Sequence, residues 1–235
     1  MKKIIDKIYH SRFFSSIFRT TVFCLKNELR DCESVLDLGC GPSSPLQYCK
    51  NIKYSVGVEA FKPSLEESKK RKIHTEYIEK KVEEVDFSEN SFDAVIMIEV
   101  LEHLPENIGY AMLEKADKWA KKKVIVSTPN GFLPQNQYDG NPFQKHLSGW
   151  EIRTMKKLGF HCRGLSGFKF IRYDTPIEAG RDQDDFMASI RWQPRFFWFA
   201  VATLSQLITY SFPKYAFEIF CVRPAPQGEY NKRPE

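Results

Sequence analysis

The chain has 235 residues, of which 42% are hydrophobic, and a formal charge of +5. That length holds one large α/β domain with a sizeable core rather than two comfortable ones. The charge is too small and too scattered to argue nucleic-acid binding by itself, so no nucleic-acid partner is expected. No stretch reaches the roughly 20 apolar residues that cross a bilayer. The start, Met1-Lys2-Lys3-Ile4-Ile5-Asp6, lacks the apolar run of a secretory signal. Cys24, Cys32, Cys40, Cys49, Cys162 and Cys221 contain no Cys-x-x-Cys pair. They read as free thiols of a reducing compartment, and a cytoplasmic location is expected.

Residues 1–32 form an N-terminal segment with helical spacing over 3–29, where Ile4, Ile5, Ile8, Phe13, Ile17 and Phe18 lie among basic residues. Short apolar runs follow at Ser34–Leu38, Ser55–Val58, Tyr77-Ile78, Phe92–Ile98 and Val124–Ser127, with helical patterns at Pro63–Lys72 and Gly109–Ala120. This alternation predicts a parallel sheet with helices on both faces. Pro129–Phe143 reads as a long loop. A helix is predicted to begin at Ser148, where Ser148 and Glu151 have capping-box spacing, and to close at Gly159. Sixth and seventh strands are expected near Phe160–Phe170 and Tyr215–Val222. One domain is expected over 33–223, with a hydrophobic insertion at about 172–214 and a disordered tail at 224–235.

The first strand runs into Val35-Leu36-Asp37-Leu38-Gly39-Cys40-Gly41-Pro42-Ser43-Ser44. A strand entering Gly-x-Gly lets backbone approach a ligand, because glycine has no Cβ to clash. Ser44 stands where a dinucleotide fingerprint has its third glycine, which counts against a nicotinamide cofactor. Asp37 would repel a pyrophosphate but attract the ammonium and sulfonium of S-adenosylmethionine. Glu59 ends the second strand, about twenty residues past Gly39, where an acid can accept hydrogen bonds from ribose hydroxyls.

These stretches, with Ser91–His103, Val126–Asn130 and His146–Trp150, make residues 33–172 resemble the class I methyltransferases, especially the group that includes ubiquinone-biosynthesis O-methyltransferases. The resemblance implies a Rossmann-like, doubly wound sheet of seven strands, mostly parallel with the last antiparallel. It implies S-adenosylmethionine as cofactor, held by Asp37, Gly39, Cys40, Gly41, Glu59, Val82, Glu83 and Glu99. In the family an Asp or Asn often precedes the Ala/Val-Glu pair that faces adenine. Here the pair is Val82-Glu83 and the preceding residue is Lys81, so adenine recognition falls to the backbone around Val82 or to Glu83.

Methyl transfer from a sulfonium needs an aligned nucleophile and a dry site, and needs a base only if the nucleophile must lose a proton. Glu99, Glu102 and His103 follow the fourth strand and His146 follows the fifth, so they can meet at the carboxyl edge of the sheet. Three readings stay open: structural residues, a general base at His103 or His146, and a magnesium or manganese site built from all four. The last arrangement resembles metal-dependent O-methyltransferases, including those acting on a terminal RNA ribose. The function expected is methyl transfer, at oxygen, to a small or lipid-like acceptor. A non-catalytic cofactor-binding partner subunit and an RNA ribose methyltransferase are the alternatives. The insertion carries Phe196-Phe197-Trp198-Phe199 after Arg191 and Arg195. That composition suits a peripheral membrane contact, against which stand a lid and an oligomer contact. The oligomeric state is not readable from the sequence.

Overall fold

A computed structural model describes residues 17–137, 140–172, 187 and 189–225. Helix α1 spans Thr21–Glu28, capped by the Thr20 hydroxyl, which accepts from Phe23 N. Then come β1 (Ser34–Leu38), β2 (Tyr54–Val58), α2 (Lys62–Arg71), β3 (Glu76–Ile78) and β4 (Phe92–Ile98). After these follow α3 (Glu106–Trp119), β5 (Ala120–Pro129), α4 (Ile152–Lys157), β6 (His161–Phe168), α5 (Arg195–Thr209) and β7 (Ala216–Pro224). The strands form one seven-stranded sheet in the order β3-β2-β1-β4-β5-β7-β6. Only β7 runs against its neighbours, pairing antiparallel with both β5 and β6.

Alternation along the strands feeds two cores. Leu36, Val95, Met97, Val124 and Val126 face Met112, Leu113 and Ala116 of α3. Val35, Ala94, Ile96 and Ile125 face Cys24 and Leu25 of α1 and Leu29 just past its end. Strands buried on both faces read as unbroken apolar runs, as β4 does over residues 94–98. The strand order reverses between β1 and β4, so a crevice opens at the carboxyl ends of those strands.

A short 3-10 turn, Pro45–Tyr48, and no α-helix, lies between β1 and β2. Other elements depart from expectation. Helix α4 begins at Ile152 and not at Ser148. The Ser148 hydroxyl is engaged elsewhere, donating to Leu101 O and accepting from the Trp150 indole, so no capping box forms. Two residues of the expected disordered tail, Pro224 and Ala225, are held against the sheet. Pro224 pairs with Lys123, Ala225 N donates to Lys122 O, and Arg223 binds Asp117 and Leu158 O. The helix expected over 3–29 is seen at Thr21–Glu28; residues 1–16 lie outside the described residues, as do 226–235.

Candidate cofactor and catalytic site

A cavity of about 430 Å³ opens at the switch point, walled by Gly39, Cys40, Gly41, Glu59, Val82, Glu83, Glu99 and His103. The loop after β1 is held in place by main chain. Gly39 N and Cys40 N both donate to Val58 O. Gly41 N donates to Glu59 Oε2 at 3.0 Å, while Phe61 N donates to Glu59 Oε1 at 2.7 Å. Glu59 therefore clamps the loop and still turns a carboxylate to the cavity. Burial raises its carboxyl above the usual range, against those amide bonds. Gly39 and Gly41 both have positive φ, 69° and 56°. A Cβ built on Gly41 meets nothing within 4 Å, so that position opens on space a ligand can fill.

Asp37 does not line this cavity. It is 2% exposed and accepts a hydrogen bond from Ser44 Oγ, which also accepts from Leu46 N. The same oxygen, Oδ2, lies 3.5 Å from Nε2 of His74, a buried side chain that the sequence did not single out. Burial pushes the Asp37 carboxyl up to about 7 and the His74 imidazole down to about 4. The imidazole is thus neutral near pH 7, and the contact does not amount to an ion pair. Asp37 acts on the loop through Ser44. It is not among the residues that wall the cavity, where a direct ligand contact was expected of it.

Glu99 caps β4 in the left-handed region, φ 56°, a conformation that costs a non-glycine residue about 1–3 kcal/mol and clusters at functional sites. Its carboxylate accepts from Ser127 Oγ at 2.7 Å. A 3-10 turn at Leu101–His103 then brings Glu102 and His103 round. Glu102 is buried and accepts from Thr128 Oγ1 at 3.0 Å. Burial, then the neighbouring Glu102 charge, hold Glu99 well above the usual carboxylate range; burial pushes Glu102 up to about 7. Two such carboxyls titrate as a pair.

His103 and His146 stack edge to face with centroids 4.8 Å apart. His103 Nδ1 lies 3.2 Å from Lys145 O, and His146 Nδ1 lies 2.6 Å from Leu133 O. A carbonyl can only accept, so each Nδ1 carries the proton and each Nε2 keeps its lone pair. Burial lowers both imidazoles, His103 to about 4, so both are neutral near pH 7. One ligand atom from each of Glu102, His103 and His146 lies within 4.8 Å of the others. Glu102 and His146 stand behind the cavity wall, and only His103 and Glu99 of the four face into it. Trp150 is core, 1% exposed, packed against Gly109 and Tyr110. The sequence reading missed the far wall, Asn141, Phe143, Gln144 and Leu147. The Asn141 side chain folds that loop by accepting from Phe143 N, a signal present in the Asn-Pro pair.

Residues 36–126 match the family model of a methyltransferase domain. No protein in a set of curated sequences matches the chain. Among solved structures, a SAM-dependent methyltransferase from Archaeoglobus fulgidus is 16% identical, with 90% of this chain and 98% of that one covered and a TM-score of 0.51. The complex of the Haloferax volcanii Trm112 methyltransferase activator with a putative methyltransferase matches at 14% identity, 97% and 94% coverage and a TM-score of 0.54. The PH0226 protein of Pyrococcus horikoshii OT3 is 20% identical with a TM-score of 0.43. That match takes in 55% of this chain, which spans 65% of that protein's length. At these identities the structural likeness shows the fold.

Proposed function

We propose that the chain, whose residues 36–126 match the family model of a methyltransferase domain, is a class I S-adenosylmethionine-dependent methyltransferase, and that it methylates an oxygen of a small or lipid-like acceptor held against Glu99 and His103. The observation that carries the proposal is the buried acid and imidazole cluster at the rim of the cofactor cavity. When bound, the cofactor supplies a methyl group on a sulfonium leaving group. The chain binds and aligns. The loop at Gly39–Gly41 lets backbone approach the methionine portion, Glu59 accepts from ribose hydroxyls, and the main chain around Val82 faces the adenine. Three carboxylates on the wall, Glu59, Glu83 and Glu99, against the single Lys81 favour a cationic cofactor. The missing helix after β1 removes the N-terminal dipole on which a pyrophosphate would sit.

We further propose that Glu102, His103 and His146 hold a divalent cation, magnesium or manganese. An imidazole lowered to about 4 is a weak base for an acceptor hydroxyl. A neutral imidazole whose Nδ1 is fixed by a carbonyl is a well-oriented ligand. Two adjacent buried carboxyls are costly when both are ionised, and a cation removes that cost. Such an ion would lower the pKa of a hydroxyl beside it. The test offers labelled cofactor to phenols, a hydroxylated lipid extract and a short RNA, with and without chelator. Label is expected on the phenol or lipid oxygen, lost with chelator and restored by manganese. Label on the RNA alone would overturn the acceptor class. Transfer that ignores the chelator would remove the cation.

A further inference from the structure

Helix α5 turns its polar side inward. Its buried residues are Ala202, Ser205, Gln206 and Thr209. Gly167 N donates to Gln206 Oε1, Gln206 Nε2 donates to Gly164 O, and Phe168 N donates to Ser205 Oγ. Two glycines of β6 permit this close seat. A Cβ on Gly164 would stand 2.2 Å from Thr209 O, and one on Gly167 2.1 Å from Ala202 O. The outward face carries Phe196, Phe197, Leu204, Leu207 and Ile208, each more than half exposed. Phe212 and Tyr215 extend the apolar surface past the helix end. Scattered exposed apolar residues are ordinary, but a continuous stripe marks a partner.

The charge around the stripe says which partner. From 187 to 217 the sequence has no Asp or Glu. At the carboxyl end of α5 a cleft of about 780 Å³ is bordered by Arg153, Lys156, Lys169 and Lys214, with Phe212 and Tyr215 on its wall. Glu151 is its single acidic neighbour among the described residues. Lys169 follows β6 and Lys214 precedes β7, which places the cleft at the same sheet edge as the cofactor cavity.

We propose that this face docks the enzyme on an anionic lipid surface, with the α5 stripe sunk at the headgroup boundary and the four cations against lipid phosphates. A helix of 15 residues is about 22 Å long, short of the roughly 30 Å of a bilayer core. No helix among the described residues is long and apolar enough to cross a membrane. The helix therefore lies in the interface plane. Each cation near such a surface adds to binding, and salt screens the attraction. The inference deepens the lipid-like acceptor reading, and flotation without cofactor or acceptor separates it from methyl transfer.

The test floats the full chain with vesicles of phosphatidylcholine, with and without phosphatidylglycerol. The protein is expected to rise with the anionic vesicles and to remain below with neutral ones, and high salt reverses the binding. Two variants follow, each first shown to melt as the parent and to bind cofactor. Leu204→Gln with Leu207→Gln and Ile208→Gln removes the stripe; Arg153→Glu with Lys156→Glu and Lys214→Glu reverses the cleft. Each is expected to weaken vesicle binding by about tenfold or more. A parent that stays at the bottom with anionic vesicles overturns the proposal, and so do variants that float like the parent. A dimer in sedimentation that the stripe variant dissociates, with no flotation, assigns the face to a second copy and also overturns it.

Discussion

Gly41→Val is expected to abolish S-adenosylmethionine binding, a loss of at least about a hundredfold, while leaving the domain folded. The two effects come apart because of where the new atoms go. Nothing of the protein lies within 4 Å of a Cβ at Gly41, so no core contact is broken. The side chain instead fills the cavity that Gly41 lines. The positive φ of 56° adds strain of roughly 1–2 kcal/mol for a β-branched residue, which a thermal melt would record as a modest drop. Glu59→Ala is the milder companion. It removes the acceptor for Gly41 N and Phe61 N and should weaken binding by about 1–3 kcal/mol. Calorimetry on both variants checks this. Parental affinity in Gly41→Val would place the cofactor elsewhere.

The second large effect is expected at the imidazoles. His103→Ala and His146→Ala should each lower turnover by roughly 10²–10⁴-fold, with cofactor affinity little changed, because groups that act on the acceptor show themselves mainly in the transition state. The geometry makes the two coupled. Their rings touch, each is oriented by a different loop carbonyl, and both converge with Glu102. If they hold one cation, the double variant should cost little more than either single one. If one is a base and the other packing, only one substitution should matter. Full turnover in both single variants would leave the cluster a structural one.

The parts legible in sequence were those where local pattern and burial coincide. Ala94–Ile98 is an unbroken apolar run because both faces of β4 are covered, and the structure has the strand at Phe92–Ile98 as expected. Gly39 and Gly41 announced a close backbone approach, and both have positive φ beside the cavity. What could not be read depends on partners far along the chain. The Asp37–His74 contact joins a strand end to the turn after α2, and no spacing rule links them. Ser148 looked like a cap, but a carbonyl and an indole brought in by the fold claim its hydroxyl. For α5 the composition gave a hydrophobic insertion without saying that it is a helix or which side faces in. The two glycines of β6 decide it, since they admit the helix only by its small and polar side.

The central claim is that the cavity takes a cofactor bearing positive charge and not a pyrophosphate. Calorimetric titration of the unmodified protein with S-adenosylmethionine and with NAD, at about pH 6 and pH 7.5, tests it most directly. Glu59 and Glu99 face the cavity with carboxyls raised above their usual range, and Glu102 behind them reaches about 7. A cation favours the ionised form, so it lowers those pKa values and binding releases protons. Affinity must then rise with pH through the window in which the free acids are still protonated, by up to about tenfold per pH unit for each proton released. The account predicts micromolar binding of S-adenosylmethionine that tightens from pH 6 to pH 7.5 with measurable proton release, and no binding of NAD. Binding of NAD, or an affinity for S-adenosylmethionine that weakens over that interval, would contradict it.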